Sequence, residues 1–415
     1  MESAPIEEVA HLTLLLGRKL LESGADTAQV QSSMVRFAAA FSCEAHLMVS
    51  YEAILLTLVS GQQFRTKIGS RVPAMNVNMA VVADVSSLLA EVEAQRASVT
   101  EVREKLERIE HQAPVYQRWI VIVAIGLTAG SLARLFGGDW PAFWISWLAG
   151  SIGMWFRQLL GRRGFNLFLV PFAGALVSGI IGGIAIHLGF TGTPSLCLAA
   201  PGMIIVPGVP LVNGVLDTIK NHITVGLARL GLGTIVTLAI AFGLFVATVV
   251  TGANLPVDSP LTLLSVPEDA IFSALAAVGY VFLFNVPVRI AWPGVLCGMA
   301  SHTIRTFSLH LGVDIATGTL IGALVVGFLA HAFARHFRAP FVTFAFAGVV
   351  AMVPGSFAFR VVIGSLEMVR AADSAGTALV AETLSLAATT LLMVAAIAIG
   401  IAAPLILTRK EAASP

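Results

Sequence analysis

The sequence predicts a mainly α, polytopic membrane protein. About ten transmembrane helices in two inverted five-helix repeats follow a small cytosolic α+β domain. Three observations carry this. First, hydrophobic residues make up 57% of the 415-residue chain and charged residues only 12%, about half the charged share of a soluble domain. Second, the charge is uneven: residues 1–117 hold 24 charges, and the 298 residues that follow hold 25. Third, short motifs recur at a fixed distance in the apolar part. These features exclude a disordered chain, a disulfide-stapled mini-protein and an ordinary cytosolic enzyme. The net charge of +1 leaves no basic footprint for nucleic acid.

Residues 1–117, with ten Lys/Arg and 14 Asp/Glu, are expected to form the cytosolic domain. The chain opens with Glu2, Glu7 and Glu8 rather than basic residues before an apolar run, so it is expected to start in the cytosol without a signal peptide. Val9, Leu12, Leu15 and Leu16 share one helical face, and Gly24 ends that helix. Asp26 or Thr27 then caps a second helix carrying Val30, Met34 and Phe37. Ile54, Leu56 and Leu58 alternate as a strand does, Gly61 turns the chain, and Phe64 to Ile68 return as a hairpin. Asn76 to Ile109 reads as one or two helices. There Glu101–Lys105 and Glu104–Arg108 stand four apart with the acid first, the better order on an exposed face. The turn Glu22-Ser23-Gly24-Ala25-Asp26 is either a C-cap joined to an N-cap or a small-molecule or regulatory contact. His11, His46 and His111 are scattered. Cys43, Cys197 and Cys297 have no metal or redox spacing, and no metal or cofactor is expected.

From residue 118, ten apolar runs reach the roughly 20 residues a spanning helix needs: 118–137, 140–159, 165–189, 195–216, 223–252, 268–286, 289–311, 315–336, 340–366 and 377–407. Five helices fall in each of two expected units, 118–254 and 255–415. With a cytosolic start, the inner loops take Arg118, Arg157, Arg162, Arg163, Lys220, Arg289, Arg335, Arg338, Arg409 and Lys410. The outer loops take Arg134, Arg305 and Arg370. That bias sets both termini in the cytosol, in the cell (inner) membrane. Asp139, Asp258, Glu268, Asp269 and Asp314 are assigned to outer loops.

The repeat is read from two motifs. Gly174 to Gly179 (GALVSG) returns 148 residues later as Gly322 to Gly327 (GALVVG), and Val206-Pro207-Gly208 returns 147 later as Val353-Pro354-Gly355. A unit of five helices is odd, so its copy enters from the opposite face. This is the inverted repeat of many secondary transporters, whose substrate sits at the repeat interface. The same Pro-Gly motifs break the fourth and ninth helices. Backbone groups freed in a membrane must face protein or a water-lined cavity. The two half-helix ends then suit a zwitterion, with amides for an anion and carbonyls for a cation.

Polar residues near the breaks are the candidate site: Pro207, Gly208, Asn213 and Asp217 around the first, and Pro354, Gly355, Ser356 and Arg360 around the second. Arg360 can bind a substrate carboxylate or lock to an acid such as Glu382. Glu382, inside the tenth run, and Asp217 are the candidate proton-coupling carboxylates. Arg229 is expected to snorkel to the membrane surface. Small-residue rows, Gly174-Ser178-Gly182, Gly179-Gly183 and Gly318-Gly322, permit close helix contact and leave room for a homodimer.

These residues resemble the threonine/serine exporter (ThrE) family. The likeness is carried by Leu20 to Asp26 (LLESGAD), by Val206 to Gly214 (VPGVPLVNG) with Asp217 and Gly226-Leu227-Ala228-Arg229, and by Val353-Pro354-Gly355-Ser356 with Arg360. It covers essentially the whole chain, with both units fused in one polypeptide. The resemblance implies export of threonine and serine driven by the proton motive force. Split members look like dicarboxylate exporters, so small dicarboxylates are the alternative substrate. A membrane-embedded hydrolase or a passive channel would be the alternative of another class. No GxSxG or HExxH motif favours the hydrolase.

Overall fold

The computed structural model describes residues 5–70, 76–253, 262–372 and 376–411. Asp258 lies outside these residues. The N-terminal part follows the sequence pattern closely. α1 (Ile6–Glu22) and α2 (Thr27–Ala40) flank the LLESGAD turn, where Gly24 takes a positive φ of 92° and Asp26 caps α2 by accepting from the Gln29 amide. Three antiparallel strands, β1 (Glu44–Val49), β2 (Ala53–Ser60) and β3 (Gln63–Ser70), pair in the order β1-β2-β3, one strand more than the predicted hairpin. Ile54, Leu56 and Leu58 of β2 point into the core, as their alternation requires. Two helices follow, α3 (Met79–Glu93) and α4 (Val99–Glu110). Glu104 and Arg108 do pair, at 3.9 Å. Lys105 instead reaches Glu91 of α3, while Glu101 completes a capping box with Ser98.

The apolar part forms α5 (Arg118–Leu135), α6 (Trp140–Arg162), α7 (Leu169–His187), α8 (Pro194–Met203), α9 (Gly208–Ile219), α10 (Ile223–Thr251), α11 (Val266–Leu283), α12 (Ala291–His310), α13 (Ile315–Phe337), α14 (Phe341–Val349), α15 (Gly355–Ala371) and α16 (Thr377–Glu411). Six of them are long and apolar enough to cross a membrane. Two bent pairs, α8 with α9 and α14 with α15, qualify as single broken spans, giving up to eight. α6 and α12 are 23 and 20 residues long. At about 1.5 Å per residue they match a hydrocarbon core of about 30 Å, but their polar residues keep them below the other spans in hydropathy.

The breaks fall at the predicted motifs. α8 and α9 meet at 57° across Val206-Pro207, and α14 and α15 at 47° across Val353-Pro354. The breaks also pack reciprocally: a methyl of Val353 lies against Gly208, and a methyl of Val206 against Gly355. Neighbour relations recur as well. α5 packs on α6, α6 on α7 and α7 on α10; α11 packs on α12, α12 on α13 and α13 on α16. α5 and α11 pack on one another, with the Thr128 hydroxyl donating to the Ala276 carbonyl at 3.1 Å.

The two small-residue rows on α7 lie in close helix contacts. The missing side chain of Gly182 leaves room for the Cys197 carbonyl of α8, and Gly179 takes Ala247 of α10. A side chain at Gly182 would press on backbone, which yields little. Gly182→Val is therefore expected to destabilise the bundle by about 1–3 kcal/mol, read as a lower melting temperature in detergent. An unchanged Tm would mean that α7 and α8 are not held this closely.

Candidate functional site

Two cavities flank the broken helices. The larger, about 200 Å³, lies at the α8–α9 break, and Val206, Pro207, Gly208 and Pro210 line it together with Asn76, Tyr280 and Arg157. The smaller, about 30 Å³, lies at the α14–α15 break, lined by Val353, Pro354, His302, Arg305 and Thr306. Each cavity thus holds one arginine. These stand 148 residues apart, on α6 and α12, at the spacing of the repeated motifs.

The positive-inside count had set Arg157 and Arg305 in loops; both belong to helices. Each is a helical residue five positions before its helix ends, so an apolar run that stops near it reads as a boundary. Arg157 lays its stem over Gly174, and its Nε is buried without a hydrogen-bond partner. The larger cavity therefore has an underused guanidinium at its wall. α9 begins there: the Gly208 amide donates to the Val206 carbonyl at 2.8 Å and Pro210 has no amide hydrogen, so Val209 is the first-turn amide left to offer. α8 ends there, leaving carbonyls by the same rule. Among the described lining residues Arg157 is the sole charged group. An anion placed between Arg157 and the Val209 amide, with a cation towards the remaining lone pairs of the α8 carbonyls, complements the two ends of the break.

Of the residues singled out from sequence, Pro207 and Gly208 line this cavity and Pro354 lines the other. Gly355 and Ser356 begin α15, where both are buried. Arg360, one turn further, approaches Glu382 of α16 at 4.0 Å, the acid foreseen as its partner. Asn213 and Asp217 lie elsewhere. They point away from the cavity and hold the LLESGAD turn of the N-terminal part. Asn213 donates from its amide to the Gly24 carbonyl at 3.0 Å. Asp217 accepts from the Thr27 amide at 3.0 Å and the Thr27 hydroxyl at 2.9 Å.

Arg229 does not snorkel. It is fully buried, forms an ion pair with Asp217 at 2.8 Å and donates to the Ala25 carbonyl at 2.9 Å. The pairing wins because the docked turn excludes water from both charges, and an unpaired charge there would cost more than the lost rotamers. Lys220 adds a contact to Asp26 at 3.1 Å. Burial raises the phenol of Tyr51, in the β1–β2 turn, above its ordinary value, against the pull of the Arg229 guanidinium. The turn, read either as a pair of caps or as a small-molecule or regulatory contact, joins the two caps and docks on α9 and α10 of the same chain. A second contact ties α3 to the end of α11: the Met79 and Ala80 amides donate to the Phe284 and Asn285 carbonyls.

Asp269 is another correction. It was placed in an outer loop, but it is a buried residue in the first turn of α11, hydrogen-bonded to His302 and Thr306 of α12. An acid in a first helical turn is ordinarily an exposed partner of the helix dipole, and a single sequence does not separate the two cases.

Comparison with known proteins agrees with this architecture. The family model described as "Putative threonine/serine exporter" matches residues 11–251, and a second, "Threonine/Serine exporter, ThrE", matches 269–407. A probable succinate transporter subunit of Escherichia coli is 30% identical over 257 residues, 61% of this chain and 98% of its own length. A probable threonine/serine exporter of Mycobacterium tuberculosis is 25% identical over 374 residues, covering 86% of this chain and 69% of the relative. A threonine/serine exporter of Corynebacterium glutamicum is 22% identical over 383 residues, or 86% and 76%. No solved structure matches. The N-terminal turn, the broken helices and the apolar bundle all lie inside the matched ranges, and the chain belongs to the threonine/serine exporter family of multi-pass membrane transporters.

Proposed function

We propose that this protein is a proton-coupled secondary exporter of small amino acids, threonine and serine, and is neither an enzyme nor a channel. The observation that carries the reading is the cavity at the α8–α9 break, with Arg157 on its wall and the half-helix ends of α8 and α9 beside it. The substrate carboxylate binds Arg157 and the Val209 amide of α9, and the ammonium takes the α8 carbonyls. At about 200 Å³ the space falls below the 300–1,000 Å³ of drug-sized sites, as suits a molecule of this size. A dicarboxylate, the alternative suggested by the succinate-named relative, would set its second carboxylate where no second cation stands among the described lining residues.

In this reading the ten spans form two inverted five-helix units, 118–254 and 255–415, behind a cytosolic domain at 1–117. The reciprocal Val206–Gly355 and Val353–Gly208 contacts support a two-fold relation between the breaks. With both termini in the cytosol, the larger cavity faces inward and the smaller outward, so the conformation is inward-open. Pro354, Gly355, Ser356 and Arg360 complete the substrate path when the unequal cavities exchange. Glu382, beside Arg360, is a coupling carboxylate. Asp217 and Asn213 act from the cytosolic face, through the docked turn.

The test is efflux from proteoliposomes loaded with labelled threonine. An inwardly directed proton gradient, acid outside, should speed the loss, and unlabelled serine should compete better than succinate. Efflux indifferent to the gradient for threonine, serine and succinate alike would overturn the coupled-carrier reading.

A further inference from the structure

Asp269, His302, Arg305 and Thr306 form a second polar cluster, apart from the Arg157 cavity, in the α11–α12 contact beside the smaller cavity. All four are buried. An Nη of Arg305 lies 2.5 Å from His302 Nε2. A guanidinium has no lone pair to offer, so Nε2 is the acceptor and the ring proton sits on Nδ1. His302 Nδ1 then donates to the Asp269 carboxylate, at 3.0 and 2.9 Å to its two oxygens. The Thr306 hydroxyl donates to the same carboxylate at 2.7 Å. The neutral ring thus bridges an acid and a base.

This bridge exists in one protonation state. A proton on Nε2 removes the lone pair that Arg305 uses and sets two cations side by side, while Asp269 still holds Nδ1. We propose that His302 is a proton-binding site, and that its protonation expels the Arg305 guanidinium from the cluster into the cavity at the Val353-Pro354 break. That cavity already borders His302, Arg305 and Thr306, and at about 30 Å³ it has room for about one water. The Nε of Arg305 is buried without a hydrogen-bond partner, so one ring nitrogen does much of the holding.

The surroundings leave the ring little other charge to answer to. On α11, Asp269 faces it while Glu268 is exposed; on α12 itself, Arg305 faces it, and His310, exposed in the last turn, pairs with the Leu264 carbonyl instead. α14 and the 3-10 turn Val350–Met352 carry no titratable side chain. On α13, Asp314 caps its own helix, and His331, Arg335 and His336 lie at the far end. Arg289, before α12, is exposed at the opposite end. On α5, Arg134 lies over the Trp140 and Phe272 rings. Leu135, Phe136 and the segment 262–264 line the cavity, which is the outer end of the bundle in the topology proposed above. A proton arriving from outside thus reaches the cluster from this end, past the exposed His310. Arg305, released at the outer break, would stand as Arg157 stands at the inner one. The consequence for transport rests on the exporter reading; the protonation does not.

Two measurements separate them. Full-length protein labelled with 15N-histidine and 15N-arginine in nanodiscs is titrated from about pH 8 to about pH 5, with His302→Gln used to assign the ring. The expected result is a neutral, Nδ1-protonated ring that becomes imidazolium, with the Arg305 side-chain signal moving at the same pH. A ring that stays neutral throughout, or converts while Arg305 does not respond, overturns the proposal. In proteoliposomes, His302→Gln should lose gradient-driven threonine efflux by about tenfold or more, the equivalent of one charged hydrogen bond, yet keep threonine counterflow. Gradient-driven efflux at the wild-type rate overturns the coupling role. If wild-type protein moves neither threonine nor succinate, the exporter reading has failed, and the titration still decides the proton site.

Discussion

Replacing Arg229 by methionine is expected to destabilise the folded protein by about 3–5 kcal/mol, because it strands a buried carboxylate. Asp217 and Arg229 have no measurable solvent exposure, and their ion pair at 2.8 Å is closed over by the turn at residues 24–27. Methionine keeps most of the stem's volume, so the loss is one of charge compensation and of the bond to the Ala25 carbonyl. Adding Asp217→Asn should recover part of the loss, since the amide oxygen still accepts from Thr27 and no bare charge remains. The two substitutions are therefore expected to be less than additive. Thermal unfolding in detergent measures the first effect. Hydrogen exchange measures the second, where amides 23–27 should exchange faster in both variants because the turn has lost its anchor. A single variant that melts with the wild type, or a turn that stays protected, would mean that the pair does not hold the N-terminal part on the bundle.

That pair also marks where sequence reasoning ends. Helix positions were legible because a spanning helix must be long and apolar, and the predicted runs lie within a few residues of α5, α10, α11 and α13. The breaks were legible because proline and glycine act locally. The docking of the turn was not: Thr27 and Asp217 are 190 residues apart, and no local pattern in one sequence pairs them. Arg157 and Arg305 are a different kind of miss. Both fell in the last part of predicted runs, 140–159 and 289–311, where a charge reads as the approach of a loop. Yet their 148-residue spacing equals that of the GALVSG and GALVVG motifs, and applying the repeat to charged residues as well as glycines would have raised them together. Asp269 escaped because burial of a first-turn acid depends on what α12 brings to it, and that is tertiary information.

Arg157→Gln is the complementary experiment, one in which the fold survives and the ligand is lost. Glutamine keeps the Cγ methylene that packs over Gly174 and places its amide carbon where Cδ lay, and the guanidinium Nε has no partner to forfeit. The melting temperature without substrate should therefore move little. Threonine binding should weaken by about 10–100-fold, since a charge-assisted hydrogen bond to a carboxylate is worth about 1.5–3 kcal/mol and each 1.4 kcal/mol is tenfold. Arg157→Lys should lie between, because lysine restores the charge without the planar fork that grips two oxygens at once. The measurement is stabilisation of purified protein by threonine, serine and succinate in turn, with Kd taken from the concentration dependence of Tm. Equal loss for all three in the glutamine variant would make Arg157 a general carboxylate anchor, with selectivity set by the rest of the wall. Wild-type affinity in that variant would remove Arg157 from the site and with it the assignment of this cavity. The graded order arginine, lysine, glutamine is the diagnostic feature. A residue needed only for packing would leave lysine and glutamine, which both keep a carbon at the Cγ and Cδ positions, close to alike in threonine affinity.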